Sequence, residues 1–470
     1  MTDRKAAGKA VEVKETVDRN LNKTSREIAL DILIEILEKG DFSHTQLNRT
    51  LKAQTALTKQ DRSFITRLVE GTLERLITLD YILNGYSKVK VEKMKPFIRN
   101  LLRMSLYQLK YMDQVPDSAV CNEAVKLAGK RGLKSLSGFV NGVLRNIARN
   151  SKGSVLPLEE KDREEYLSIL YSTPRWMIEK WLKDYDYETV KNMLAAQFEE
   201  KKYTTVRVNL AKNTVEELTE RLKEENVETI EGNYLSCALK IQGFENMDSI
   251  KAFAEGRFTV QDESSMLIGL IAGIQKKDFI IDVCGAPGGK ALHAAELLNG
   301  TGMVETRDVT DYKVALIQEN IRRMGLPNIK AVKKDATLKD EDSILKADIV
   351  LADLPCSGLG VIGKKPDIKY NMTREKQQEL VKLQREILSV VSGYVKTGGI
   401  LIYSTCTVNR EENLENVEWF TENYPFQLES LEGRLPEKLP CETKEKGYLQ
   451  LIPGIHETDG FFMARLRKNT

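Results

Sequence analysis

Two thiols carry the first sign of chemistry in this sequence. Cys356 lies in Asp353-Leu354-Pro355-Cys356-Ser357-Gly358, behind the apolar residues 349–352, and Cys406 lies in Tyr403-Ser404-Thr405-Cys406, behind Gly398-Gly399-Ile400-Leu401-Ile402. Each apolar run has the length of a buried strand. Both thiols are therefore expected at the carboxyl ends of parallel strands, the edge along which open α/β sheets build their active sites. A thiol there stays open to a ligand while its strand stays packed, and two of them flanking one cleft are equipped for covalent chemistry. Taken singly, either cysteine is more ordinary as a core residue, because free cysteine is among the most buried side chains. The motifs around them decide between the readings.

Asp282-Val283-Cys284-Gly285-Ala286-Pro287-Gly288-Gly289-Lys290 follows an apolar run and opens a helix predicted over residues 288–298. Glycines there let backbone approach a ligand, and a helix start attracts negative charge. The loop has neither the G-x-x-x-x-G-K-[ST] spacing of a phosphate loop nor the spaced glycines of a dinucleotide site. Asp308, about twenty residues on, stands where an acid would hold a ribose diol. Asp335, after the next predicted strand, is a candidate for an adenine edge, against the plainer reading of a turn aspartate.

The elements that must position these residues read as strands alternating with helices. Apolar runs near 279–283, 303–305, 329–332, 349–352 and 400–403 imply a doubly wound, Rossmann-like parallel sheet over residues 261–470, although Glu305-Thr306-Arg307 is unusually polar for a central strand. Upstream, a strand at 203–209, a helix at 215–225 and short strands at 239–241 and 258–260 make a small α+β module over 155–260, preceded by a helix from 176 to 200. Residues 24–150 show only helical periodicity and form an all-α domain that begins with a capping box, Thr24 to Glu27. Its later part carries Lys126, Lys130, Arg131, Lys134, Arg145 and Arg149. These are either a solvated face or a footprint for RNA phosphates. Lys152-Gly153-Ser154 reads as a linker, and residues 1–23 as a polar, disordered arm.

Composition sets bounds on the rest. At 470 residues the chain is long enough for about three domains, and a net charge of +2 confines any nucleic-acid surface to a local patch. Six cysteines without C-x-x-C pairs and only three histidines suggest neither zinc nor a disulfide framework, which fits a reducing cytoplasm. No stretch reaches the ~18 apolar residues of a membrane span, and the amino terminus lacks the apolar core of a signal peptide.

Together, Gly285 to Lys290, Asp353 to Gly358, Lys365-Pro366-Asp367-Ile368-Lys369-Tyr370, Ser404 to Cys406 with Glu412-Asn413, and Asp459-Gly460-Phe461-Phe462 resemble the signatures of S-adenosylmethionine-dependent RNA cytosine-5 methyltransferases. With a NusB-like helical domain in front, the chain is similar to the bacterial 16S ribosomal RNA enzymes of the Sun or Fmu type. The resemblance implies S-adenosylmethionine as cofactor, held by Cys284, Gly285, Ala286, Pro287, Gly288, Gly289, Lys290, Asp308 and Asp335, with Asp353 beside cofactor and base. It implies Cys406 as nucleophile, Cys356 in product release and Asp353 as the acid facing the ring. Ribosomal RNA is the implied substrate; the charge pattern puts Lys130, Arg131, Lys134 and Arg145 on the RNA, composition suggests no metal and no membrane, and a monomer is expected while the sequence leaves the oligomeric state open. Four positions depart from the usual pattern: Gly285 and Leu354 replace a common Ala, Ala291 a common Thr, and Gly363 a basic residue. A transfer-RNA methyltransferase and a non-catalytic assembly or antitermination factor are the rival readings. The second has no use for an intact Cys406, Cys356 and Asp353.

Overall fold

A computed structural model describes residues 23–150, 156–199 and 203–469. The arm expected over 1–23, apart from Lys23, the expected linker at 152–154 and the last residue of the helix predicted over 176–200 lie outside the described residues. Two units emerge: residues 1–191 with 362–371, and residues 192–361 with 372–470.

Helices α1 (Ser25–Lys39), α2 (Ser43–Ala53), α3 (Lys59–Glu74), α4 (Leu76–Tyr86), α5 (Pro96–Tyr111), α6 (Asp117–Lys130), α7 (Ser137–Asn150), α8 (Arg163–Leu170), α9 (Arg175–Asp184) and the start of α10 (Tyr187–Ala195) make up the first unit. Thr24 and Glu27 form the capping box that opens α1, as their spacing requires. The apolar faces meet in one core that includes Leu33, Leu68, Leu101 and Leu144. The helix predicted from 176 is two helices. Tyr185 turns to extended backbone, and the Asp186 carboxylate accepts from Thr189 N at 2.9 Å, which starts a new helix.

Ile362–Asn371, sequence from the middle of the expected catalytic region, folds with this helical unit. Phe42 offers no side-chain cap to α2, and Asp367 takes that role, accepting from Ser43 N at 3.2 Å and Ser43 Oγ at 2.5 Å. Tyr370 donates to Leu73 O at 2.6 Å and Lys369 to Glu74 O at 3.2 Å. Lys369 is buried, and burial pushes its pKa down to about 7.

The second unit begins with a four-stranded antiparallel sheet, ordered β2-β3-β1-β4: β1 (Thr204–Val208), β2 (Glu228–Glu231), β3 (Ala238–Gln242) and β4 (Phe258–Val260), with α11 (Val215–Glu224) and α12 (Lys251–Ala254). β2 was not legible because it is a largely exposed edge with no buried face to alternate against. The chain then runs through α13 (Glu263–Ala272), β5 (Phe279–Asp282), α14 (Gly289–Leu297), β6 (Met303–Asp308), α15 (Asp311–Met324), β7 (Ile329–Lys333) and β8 (Ala347–Asp353). After α16 (Ile368–Asn371), which belongs to the helical unit, come α17 (Arg374–Val391), β9 (Val395–Thr405), α18 (Leu414–Asn423), β10 (Phe426–Leu428), β11 (Tyr448–Leu451) and β12 (Phe461–Lys468).

The large sheet has the order β10-β12-β9-β8-β5-β6-β7, with β11 on β12. The five strands β9-β8-β5-β6-β7 are parallel, as the alternation predicts, but β12 pairs antiparallel with β9, so the sheet is mixed rather than purely parallel. The polar stretch of β6 is internally satisfied. Arg307 pairs with Glu305 and with Asp340 at 3.2 Å and donates to Ser343 Oγ at 2.6 Å, while Thr306 donates to Asp282 at 3.4 Å.

Candidate active site

Successive crossovers place β6 and β7 on one side of β5 and β8 and β9 on the other, so the chain reverses between β5 and β8. A crevice opens at such a reversal beyond the carboxyl strand ends. The 284–290 loop leaves β5 there, Asp353 ends β8, and Cys406 follows β9. The sequence places all three correctly at one sheet edge.

Cys356 and Cys406 come together: their sulfurs are 3.1 Å apart, and Cys406 N donates to Cys356 Sγ at 3.2 Å. None of the six cysteines, all among the described residues, is in a disulfide. The Cys356 thiol is pushed well up by its hydrogen bond to Cys406 and by burial. The third thiol, Cys284, is also pushed far up, by burial and then by the carboxylates of Asp282, Asp308 and Asp353, so it stays protonated at neutral pH. Beside the thiol pair, Asp353 accepts from Lys290 Nζ at 2.7 Å and from Ser404 Oγ at 2.8 Å. Lys290 also lies over the Phe461 ring at 5.2 Å, which gives the Asp459-to-Phe462 motif a place at the site.

A buried polar lattice holds the two cysteine loops. Glu412 accepts from Ser357 N at 2.8 Å, Gln384 Nε2 at 3.1 Å and Asn409 Nδ2 at 2.9 Å, and Asn413 Nδ2 donates to Thr407 O at 3.0 Å. Gly360 N donates to Cys406 O at 3.0 Å, and Gly460 N to Gly360 O at 2.9 Å. Of these, sequence reading singled out Glu412 and Asn413 but not Gln384 or Asn409, which carry no local signal.

The loop's own geometry fits S-adenosylmethionine. Gly288 has φ +113°, which an L side chain rarely adopts, and leads directly into α14. Asp308, buried at the end of β6, accepts from Ala286 N at 3.2 Å and Val309 N at 2.8 Å and pairs with Lys313 at 3.0 Å, so it anchors the loop. The departure at Gly285 has a steric reason: a Cβ there would lie 1.9 Å from Thr306 Oγ1. A cavity of about 170 Å³ over the loop is lined by Val260, Gln261, Ser265, Asp282, Lys290 and Asp353, among others. The amide nitrogen of Gln261 has no partner, the mark of a cradle shaped for a ligand. Val260, Gln261 and Ser265 escaped the sequence reading, since a polar run after a short strand looks like an ordinary helix start.

Two groups of predicted residues look plainer in place. Asp335 is exposed just past β7, and its carboxylate accepts from Thr337 N at 2.9 Å and Thr337 Oγ1 at 2.7 Å, the local turn contact of an ordinary aspartate. In the helical unit Lys130 pairs with Glu27 at 2.7 Å, Arg131 with Asp31, and Arg145 donates to Asn141 at 2.9 Å, while Lys134 is exposed.

Comparison with known proteins identifies the family. Family models match residues 23–149 (NusB family), 173–248 (RsmF/B-like methyltransferase, ferredoxin-like domain) and 270–467 (16S rRNA methyltransferase RsmB/F). A Bacillus subtilis protein named probable ribosomal RNA small subunit methyltransferase B is 38% identical over 95% of this chain and 100% of its own length. A Synechocystis protein of the same name is 33% identical over 95% and 99%. Among solved structures, PH0851 superposes with a TM-score of 0.79 at 27% identity, covering 95% of this chain and 100% of its own. Pyrococcus horikoshii NSun6, at 23% identity, 64% of this chain, 100% of its own and a TM-score of 0.56, shares the fold. With relatives this similar along nearly its whole length, the chain belongs to the RsmB/F family of 16S rRNA methyltransferases, and S-adenosylmethionine is its cofactor.

Proposed function

We propose that this protein methylates carbon 5 of a cytosine in 16S ribosomal RNA, and that Cys406 bonds transiently to the base. The observation that carries this reading is the pair of thiols 3.1 Å apart beside the Lys290–Asp353 ion pair. Ribosomal rather than transfer RNA is favoured by the names of the relatives.

Carbon 5 of cytosine is too weak a nucleophile to accept a methyl group directly. Addition of the Cys406 thiolate to carbon 6 turns the ring into an enamine and sends charge toward ring nitrogen 3. In this reading Lys290 and Asp353, which share one hydrogen bond, deliver a proton there as the charge develops. The bound cofactor supplies an electrophilic methyl group on its sulfonium. Solvent then accepts the carbon-5 proton, the electrons of that carbon–hydrogen bond re-form the carbon 5–carbon 6 double bond, and the carbon 6–sulfur bond breaks with its pair leaving on Cys406 as the thiolate. Cys356, kept protonated, is placed to donate to the departing Cys406 sulfur. Reaching the cleft requires a base taken out of its stack, at a cost of a few kcal/mol that is smallest in a loop.

The two cysteines should fail in opposite ways. Cys406→Ala is expected to bind RNA and cofactor yet neither methylate nor crosslink, and Cys356→Ala to accumulate enzyme bonded to methylated RNA, seen as a slow band on a denaturing gel. The band from Cys406→Ala alone would reverse the roles, and normal methylation by both variants would overturn the covalent reading.

A further inference from the structure

We infer that Gln261 is the donor that recognises the methionyl carboxylate of the cofactor, and that Arg207 of the small sheet fixes its orientation. The inference rests on the family's cofactor and not on the cytosine chemistry.

Arg207, on β1, is fully buried, and its Nε lies 2.7 Å from one polar atom of the Gln261 amide. A guanidinium only donates, so that atom must be the oxygen, and the amide nitrogen must point the other way. Arg207 also pairs with Glu296 on α14, which ties the amide to the helix whose amino terminus opens the cofactor loop. Gln261 is 7% exposed, and its Nε2 is shielded from solvent without a partner. An unsatisfied buried donor of this kind is unfavourable unless a ligand accepts from it. Its direction identifies the ligand group. Nε2 lies 3.8 Å from the place a Cβ on Gly289 would occupy, and both Gln261 and Gly289 line the cavity over the loop. Gly289 is the first residue of α14, and Gly288 before it supplies no side-chain cap, so the first N–H groups of the helix also lack an acceptor from the helix itself. Both the amide and the helix start therefore favour an acceptor, preferably an anion.

The cofactor has one such group. The charge of Lys290 is already balanced by Asp353, which leaves the Gln261 amide and the helix start to favour the carboxylate. Asp308 lies at the other end of the loop, where it suits hydroxyl donors and repels a carboxylate. The methionyl end thus falls on the Gln261 side and the ribose on the Asp308 side.

The test measures binding without RNA, comparing S-adenosylmethionine with its decarboxylated analogue by calorimetry. Gln261→Leu should weaken S-adenosylmethionine about 10-fold or more and leave the analogue nearly unchanged, which collapses the wild-type preference. Gln261→Glu keeps an acceptor for Arg207, so folding is secured, while its charge should repel the carboxylate and spare or favour the analogue. Equal losses for both ligands in both variants would make Gln261 structural, and unchanged binding of both would overturn the assignment. A raised KM for RNA with intact cofactor affinity would move the donor to the base and overturn it equally.

Discussion

Asp282 ends β5 beneath the cofactor loop, 1% exposed and with one carboxylate oxygen lacking a partner. Burial and then the nearby Asp353 push its pKa up to about 7 from an ordinary 3.8. The sign of the consequence follows: between those values the folded protein holds a proton that the unfolded chain has lost. Stability from this group is fully present below about pH 4 and is lost as pH rises toward 7, by at most about 1.4 kcal/mol per pH unit. Asp282→Asn should flatten that part of the profile in urea melts taken from pH 4.5 to 7.5, and an unchanged slope would show that Asp282 ionises normally. At this scale the sequence was most legible where chemistry demands a rare type in a fixed place, as with Cys356, Cys406 and the Gly288 turn. Gln261 stayed hidden because its meaning depends on Arg207 and Glu296, 54 and 35 positions away in sequence (261 − 207 and 296 − 261).

Packing between elements sets the tolerance of the loop that carries Cys406. Gly360 lies so close to the start of β12 that a Cβ would sit 2.0 Å from Gly460 O and 2.9 Å from Cys406 O. Gly360→Ala should displace the Cys406 loop at a cost of about 1–3 kcal/mol. Cofactor binding is expected to survive, while formation of the RNA adduct slows; thermal melts, calorimetry and the denaturing gel read the three effects, and wild-type adduct formation would show that the loop can yield. Among the elements, α1 and the parallel core strands were read correctly, whereas β11 and β12 were not read as strands although both bury side chains. β2 failed for want of a buried face, and β6 looked wrong because the partners of its polar residues, Asp340 and Ser343, arrive from beyond β7.

For the whole molecule, charge is local. No helix of the described residues is long and apolar enough to cross a membrane. The basic run in the helical unit is partly spent internally, since Lys130 and Arg131 pair with Glu27 and Asp31. Replacing Lys130, Arg131 and Lys134 together by Gln should weaken RNA binding and lower the salt slope by about one, the share of a single phosphate contact rather than three. Filter binding across a salt series measures it, and an unchanged slope would leave these residues as a solvated face. Composition could show that such residues exist but not that carboxylates on α1 claim two of them.

The excursion of Ile362–Asn371 into the helical unit bears on heredity as much as on architecture. A helical domain attached only through its end could be lost, exchanged or duplicated by a single break in the gene. Here the chain passes back through it between Cys356 and Cys406, and Asp367, Lys369 and Tyr370 find their partners in Ser43, Glu74 and Leu73. Deleting the first 191 residues would strip a buried lysine and a tyrosine hydroxyl of their acceptors in the very segment that joins Cys356 to Cys406. Recombination at the amino-terminal boundary therefore damages the enzyme even when every catalytic residue is kept, and the two parts are expected to descend together.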